Sequence, residues 1–423
     1  MRRRIETVHE TWKHCKLDEL GFVGRGKSRH RPRNDPSLYG GPYPFFQTGD
    51  IKAADLWLKD YTQTYNEKGL AQSKLWNPGT LCITIAANIA ETAILKIKGC
   101  IPDSVVGFVA DESKADARFV KYFIDTIKTQ MQSASLGTTQ DNLSLDKLLT
   151  FDILTPPVST QRRIAAVLSA YDDLVENNNR RVKILEEMAQ AIYREWFIHF
   201  RFPGHEKVKM VDSSLGEIPE GWETAKFTDL AEILSGGTPK TEIPEYWNGE
   251  IPFFTPRDVP GSFYVVETEK SITKLGLGKC NSQLYPKETV FITARGTVGN
   301  VVIPAVDMAM NQSCYALVGH QGVSQLYLFL TTQNSVQYLK KNTGGATFDT
   351  IVIDTFRRFD VVKPPLQVIE EFSTRIRPVF QMMLNLLFRN INLRSTRDLL
   401  LPKLVSGKVN VSEPDIDEGN AVA

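Results

Sequence analysis

One apolar seam occurs twice in this chain, and it constrains the fold more than any other feature. In the first copy Ile164, Leu168, Tyr171, Val175, Asn178, Val182, Leu185, Ala189, Ile192 and Trp196 follow at alternating steps of 4 and 3, the spacing of a coiled-coil seam and not of a strand. The spacing predicts one long helix. It begins after Pro156-Pro157, with Ser159 or Thr160 as N-cap, and stops before Pro203-Gly204. The block before it, FDILTPP at 151–157, returns as FDVVKPP at 359–365, a displacement of 208 residues. The same displacement carries the seam onto Phe372, Ile376, Val379, Met383, Leu386, Asn390, Leu393, Arg397, Leu400 and Leu404, of which eight are apolar. Neither helix is stable alone in water, so the two stripes are expected to bury against each other.

An antiparallel arrangement with Asn178 opposite Asn390 gives every seam residue a partner: Ile164 meets Leu404, Tyr171 meets Arg397 and Trp196 meets Phe372. A buried Asn at each seam sets register at some cost in stability. Pro378 lacks a backbone donor and is expected to kink the second helix in its early turns.

The repeat extends beyond the helices. PFFQTGDI (44–51) is answered by PFFTPRDV (252–259), GTTQDNL (137–143) by GATFDTI (345–351), and CITIAANIAE (82–91) by FITARGTVGN (291–300), the last displaced by 209. The order is therefore a domain over 1–155, a helix over 156–200, a second domain over 201–363, a second helix over 364–408 and a disordered acidic tail over 409–423. LCITIAA, AILKI and VVGFVA read as strands and ADARFVKYFIDTIKTQMQS as a helix; TVFITA, VVIPA, YALVG and VSQLYLFLTTQNSVQYLKK repeat that order. Each domain is an α/β (α+β) module.

Composition excludes several classes. At 423 residues the chain exceeds a single core. Its formal charge of +1 makes any nucleic-acid footprint local, and its five scattered cysteines fit neither a disulfide framework nor a zinc site. MRRRIETVHE has no apolar run behind it and no stretch reaches membrane-spanning length, so the expected compartment is the cytoplasm.

GFVGRGKS (21–28) matches the phosphate-loop pattern, but SRHRPRNDPSLYGGP follows it where such a loop must open a helix. A nucleotidase is thereby disfavoured. The same stretch is dense in cations: Arg25, Lys27, Arg29, His30, Arg31 and Arg33 form either a solvated loop or a contact to DNA backbone or groove. Lys240, Arg257 and Arg295 are the weaker counterparts in the second repeat. Gln47, Thr48 and Thr255 flank a repeated Asp (Asp50, Asp258) that reads as a turn or cap acceptor more readily than as a base contact. For Thr138, Thr139, Gln140, Asn142, Thr347, Phe348 and Thr350, base contact and turn formation are equally open. No HExxH, GxSxG or methyltransferase motif is present, so neither a catalytic nor a metal site is assigned.

The run PPVSTQRRIAAVLSAYDDLVENNNRRVKILEEMAQAIYREWF, the ending LLLPKLVSGKV and the paired PFFxxxD blocks resemble the DNA specificity subunit of Type I restriction–modification systems over nearly the whole chain. PPLQVIEEFSTRI lacks the Gln-Arg-Arg of the first copy, and AANIAE lacks the Arg-Gly of ARGTVG. The resemblance implies two target-recognition domains, each reading half of a split target in double-stranded DNA and held apart by an antiparallel helix pair. It implies two modification subunits that methylate adenine with S-adenosylmethionine, and restriction subunits using ATP and Mg. The chain itself would be non-catalytic and hold no cofactor. Arg162, Arg163, Asp172, Asp173, Arg180 and Arg181 are then the outward-facing docking candidates on the first helix. A coiled-coil scaffold without specific readout is the alternative.

Overall fold

A computed structural model describes residues 12–135, 142–342 and 350–411. The chain divides into two compact units, unit 1 of Met1–Asn177 with Asn390–Ala423 and unit 2 of Asn178–Arg389.

In unit 1 a five-stranded sheet is built from β1 (Gly21–Arg25), β2 (Trp57–Leu58), β3 (Leu81–Thr84), β4 (Thr92–Leu95) and β5 (Val105–Ala110), in the order β1-β5-β3-β4-β2. All its pairs are antiparallel except β4 with β2. β3 and β4 are buried along their whole length, as apolar runs covered on both faces must be. Helix α1 (Ala117–Ser135) packs on this sheet through Phe119, Val120 and Ile124. In unit 2, β6 (Ala231–Ser235), β7 (Tyr264–Val265), β8 (Val290–Thr293), β9 (Val301–Pro304) and β10 (Cys314–Gly319) take the same order, β6-β10-β8-β9-β7, again parallel only at the last pair. Helix α3 (Gln325–Asn342) follows. The strands and helices expected from the sequence are thus present in both repeats.

Each unit also carries a second, smaller sheet. In unit 1 its strand Tyr39–Phe45 slips register between Tyr39 and Tyr43; in unit 2 Trp247–Phe254 slips between Trp247 and Ile251. The residues entering each long helix are tied back to the start of their own repeat. Ile153–Thr155 pairs with Lys13–Cys15, and Asp360–Lys363 pairs with Glu223–Lys226.

The seam stretches form α2 (Val158–Phe197) and α4 (Leu366–Val405), 40 residues each. Within unit 1, Ile164 and Leu168 near the start of α2 share a core with Leu400 and Leu404 near the end of α4. Within unit 2, Trp196 near the end of α2 meets Phe372 near the start of α4, ring centroids 5.5 Å apart. The helix halves therefore run antiparallel inside each unit. α4 continues through Pro378. The buried side chains on either side, Phe372, Ile376 and Phe380, hold the turn that the missing donor weakens.

The Gln-Arg-Arg of the first repeat has a structural use at its first position. Gln161 is fully buried; its amide donates to the carbonyls of Lys114 (3.0 Å) and Pro156 (2.9 Å) and accepts from the Asp116 amide (3.0 Å). It joins the start of α2 to the start of α1. Ile369 takes the corresponding place in α4, and there apolar burial alone makes the contact.

Candidate nucleic-acid interface

The loop after β3 in unit 1 and the loop after β8 in unit 2 are built the same way. In unit 1 the Thr84 hydroxyl donates to the Asn88 carbonyl and accepts from the Glu91 amide at 2.9 Å. In unit 2 the Thr293 hydroxyl donates to Thr297 and accepts from the Asn300 amide at 3.0 Å. Both loops need left-handed backbone at the same two places, Ala87 (φ 63°) and Ala90 (φ 62°) against Gly296 (φ 81°) and Gly299 (φ 79°). The segment before α2 or α4 then caps the loop. The Leu143 amide bonds to the Ile85 carbonyl, and the Ile351 amide to the Ala294 carbonyl, both at 2.9 Å.

In unit 1 this framework borders a cleft of about 850 Å³ lined by Arg25, Arg33, Asp103, Asn142 and Lys147 among others. Three residues singled out in the sequence, Arg25, Arg33 and Asn142, thus come together. Lys147, Ser104, Ser144 and Asp103 complete the rim and were missed; they lie outside the repeated blocks and outside the basic run, so nothing local marked them. Asp103 gathers the arginines: Arg33 Nη2 is 2.7 and 2.9 Å from its two carboxylate oxygens, Arg31 Nη2 is 3.3 Å away, and Arg25 Nε donates to its backbone carbonyl at 3.1 Å. His30 pairs with Asp35 at 2.7 Å, while the side chains of Lys27 and Arg29 are exposed.

The phosphate-loop pattern is a strand followed by an irregular loop, β1 running directly into residues 26–35. Gly26 is required for a different reason. A Cβ there would lie 2.3 Å from the carbonyl oxygens of Ile101 and Pro102. Gly236, its counterpart, would meet Asn311 O at 2.2 Å and Met310 O at 2.5 Å. Close backbone passage, and not phosphate, explains the glycine in both copies.

Gln47 and Thr48 start a short helix, Thr48–Ala53, capped by Asp50, which accepts from the Gln47 amide at 2.8 Å; the Gln47 side chain donates to Gln63 at 2.7 Å. Asp258 likewise accepts from the Thr255 amide (2.8 Å) and hydroxyl (2.7 Å). Both repeated Asp residues are cap acceptors. In unit 2, Arg257 and Arg295 are exposed on neighbouring loops, since a Cβ at Gly296 would lie 3.9 Å from Pro256 Cβ. The exposed Thr350 directly precedes Ile351, whose amide joins the Arg295 loop at Ala294. Lys240 is exposed, and its carbonyl accepts from the Trp247 indole at 3.1 Å. Thr138, Thr139, Gln140, Thr347 and Phe348 lie outside the described residues.

One docking candidate is corrected. Asp172 does not face outward: it is 2 % exposed, accepts from the Tyr122 hydroxyl and pairs with Arg397. Arg397, expected opposite Tyr171, forms its ion pair with the neighbouring Asp172, because a guanidinium buried at the helix contact requires a carboxylate. Asp173 is exposed but accepts from the Trp57 indole at 2.9 Å. Arg162 donates to the Glu112 carbonyl at 3.2 Å and Arg163 to that of Val411 at 3.5 Å. Arg180 and Arg181 are exposed on α2. Asn178 and Asn390 are both buried. Among the described residues no group of three or more His, Cys, Asp or Glu is placed to hold a metal ion, and no helix is long and apolar enough to cross a membrane.

Comparison with known proteins agrees with this duplicated architecture. The family model for the Type I restriction modification DNA specificity domain matches residues 9–187 and again 219–381. The chain is 24 % identical over 426 residues to the Type I restriction enzyme MjaIX specificity subunit of Methanocaldococcus jannaschii, covering 97 % of this chain and 96 % of that protein. It is 22 % identical over 339 residues to the HindI specificity subunit of Haemophilus influenzae, covering 66 % of this chain and 74 % of that one. Among solved structures, the S subunit of a Type I restriction-modification system from M. genitalium shares the fold, with a TM-score of 0.54, 15 % identity, and coverage of 93 % of this chain and 96 % of that chain. The two matches of the family model cover most of the sequence, one in each repeat, and the chain belongs to the Type I restriction modification DNA specificity family.

Proposed function

We propose that this chain reads a bipartite target in double-stranded DNA, one half-site per unit. The observation that carries the reading is the duplicated loop framework held by Thr84 and Thr293, beside which unit 1 exposes Arg25, Arg33 and Asn142 and unit 2 exposes Arg257, Arg295 and Thr350. Arginine and asparagine can read base edges in the major groove, and lysine and arginine neutralise phosphates. The register of α2 against α4, with Asn178 opposite Asn390, belongs to the same proposal; a cysteine pair at those positions that fails to cross-link would sink it.

In this reading the chain performs no chemistry. Two modification subunits dock on the long helices, with Arg180 and Arg181 among the exposed cations there, and methylate adenines with S-adenosylmethionine. Restriction subunits supply ATP- and Mg-dependent translocation and cleavage. The complex works in the cytoplasm, and the recognition domains end where the long helices begin, near residues 155 and 363. The test is to map methylated adenines across the host genome with the gene intact and deleted. Loss of one split motif is expected; an unchanged map would favour a scaffold without readout.

A further inference from the structure

We propose that Asp103 is a positioning residue for DNA readout, confined to unit 1, which fixes the guanidinium groups of Arg25 and Arg33 on the rim of the cleft, with that of Arg31 bonded to the same carboxylate as Arg33. The inference rests on the DNA-reading role proposed above and adds a one-sided prediction to it.

Three arginines converge on this residue from two directions. Arg31 and Arg33 take its carboxylate and Arg25 its carbonyl. Arg31 is further fixed by its other amino nitrogen, which donates to the carbonyls of Ser28 (2.5 Å) and His30 (2.8 Å). Arg25 keeps both terminal nitrogens without a partner among the described residues, and Arg33 keeps two of its three nitrogens. The side chains of Arg31 and Arg33 are 54 % and 53 % exposed and that of Asp103 34 %. Ion pairs so wet contribute little to stability. What they change is order: three long cationic side chains that would otherwise sample many rotamers hold one geometry with donors left over. A bidentate donor aimed at a guanine edge needs that preorganisation, whereas a phosphate contact does not.

Among the described residues unit 2 lacks the device. From the matched strand registers, Asp103 corresponds to Gln312 and Arg25 to Ser235. Gln312 accepts from the Thr238 hydroxyl, a neutral contact with no cation in it. The two units therefore share a scaffold but present different chemistry.

The full-length chain, co-expressed with its modification subunits, is used to select both half-sites from a random duplex library. Binding to the selected duplex, to duplexes altered in one half-site and to random duplex is then measured for the wild type, Asp103→Asn, Asp103→Glu and Arg33→Ala. Arg33→Ala identifies the half-site read by unit 1. Asp103→Asn is expected to lower discrimination at that half-site about tenfold, to leave the other unchanged, and not to weaken binding to random duplex. Asp103→Glu is expected to restore most of the loss. The proposal is overturned if discrimination is unchanged in Asp103→Asn, if both half-sites lose equally, if random-duplex affinity falls in parallel, or if Arg33→Ala affects neither half-site. A wild-type complex with no half-site preference would overturn the DNA-reading role itself, an outcome seen before any variant is compared.

Discussion

Asp172 on α2 and Arg397 on α4 form a buried ion pair inside unit 1, and Tyr122 of α1 donates to the same carboxylate. Burial alone would lower the Arg397 pKa, but the Asp172 carboxylate more than offsets this and raises it, keeping the guanidinium charged. Burial, and then the Asp172 charge, pushes the Tyr122 hydroxyl far up, so it stays a donor. Removing one partner strands the other charge. Arg397→Met is expected to cost about 3–5 kcal/mol in urea unfolding of the full chain, and Asp172→Asn combined with Arg397→Met to cost clearly less than the two single changes summed. Additive losses would mean the pair is not coupled.

The loop after β3 makes a prediction about backbone alone. Alanine occupies left-handed positions 87 and 90 where the second repeat has Gly296 and Gly299. Left-handed backbone costs an L-residue about 1–2 kcal/mol, and glycine gives back about 0.5–1 through the unfolded chain. Ala87→Gly is expected to stabilise by about 0.5–1 kcal/mol and Gly296→Ala to destabilise by a similar amount, read as shifts in the denaturation midpoint. A destabilised Ala87→Gly would show that the alanine methyl makes a contact outweighing the strain.

Glu186 on α2 gives unit 2 a pH dependence. Burial pushes its carboxyl up to about 7, partly opposed by the Phe263 amide that donates to it at 2.6 Å and helped by the neighbouring Glu187. Because the folded state holds the proton more tightly than the unfolded one, the protonated acid favours folding. That contribution is complete below pH 4.5, the ordinary value, and is lost as pH rises through about 7. Relative to Glu186→Gln, the wild type should gain about 1–2 kcal/mol as pH falls across that window, allowing for partial solvent screening. Parallel stability curves for the two proteins would assign the pH dependence elsewhere.

Lys27 and Arg29 test the basic loop away from the arginines that Asp103 gathers. Both side chains are exposed. Arg29→Ala is expected to weaken binding to specific and random duplex alike and to reduce the slope of log affinity against log salt by about 1. Lys27→Ala should behave the same way, and ATP turnover by the isolated chain should be absent with or without it. A change in half-site preference in either variant would make it a base contact.

The sequence by itself determined the duplicated order and the two long helices, because seam spacing and the FDILTPP/FDVVKPP echo are local patterns that survive without knowledge of packing. It also favoured a turn or cap role for Asp50 and Asp258 over a base contact, since capping acts within three residues. Tertiary structure decided what depends on distant partners. Asp172 looked like an outer-face charge until Tyr122, 50 positions before it, and Arg397, 225 positions after it, closed around its carboxylate. Asp103 stands 70 to 78 positions from the arginines it gathers and belongs to no repeated block, so no local pattern marked it. Gly26 looked like part of a phosphate loop, and only the backbone of Ile101 and Pro102 lying against it shows why no side chain fits. Periodicity and capping are short-range physics and are legible in one dimension, whereas burying a charge or passing two backbones in contact requires the chain to be folded.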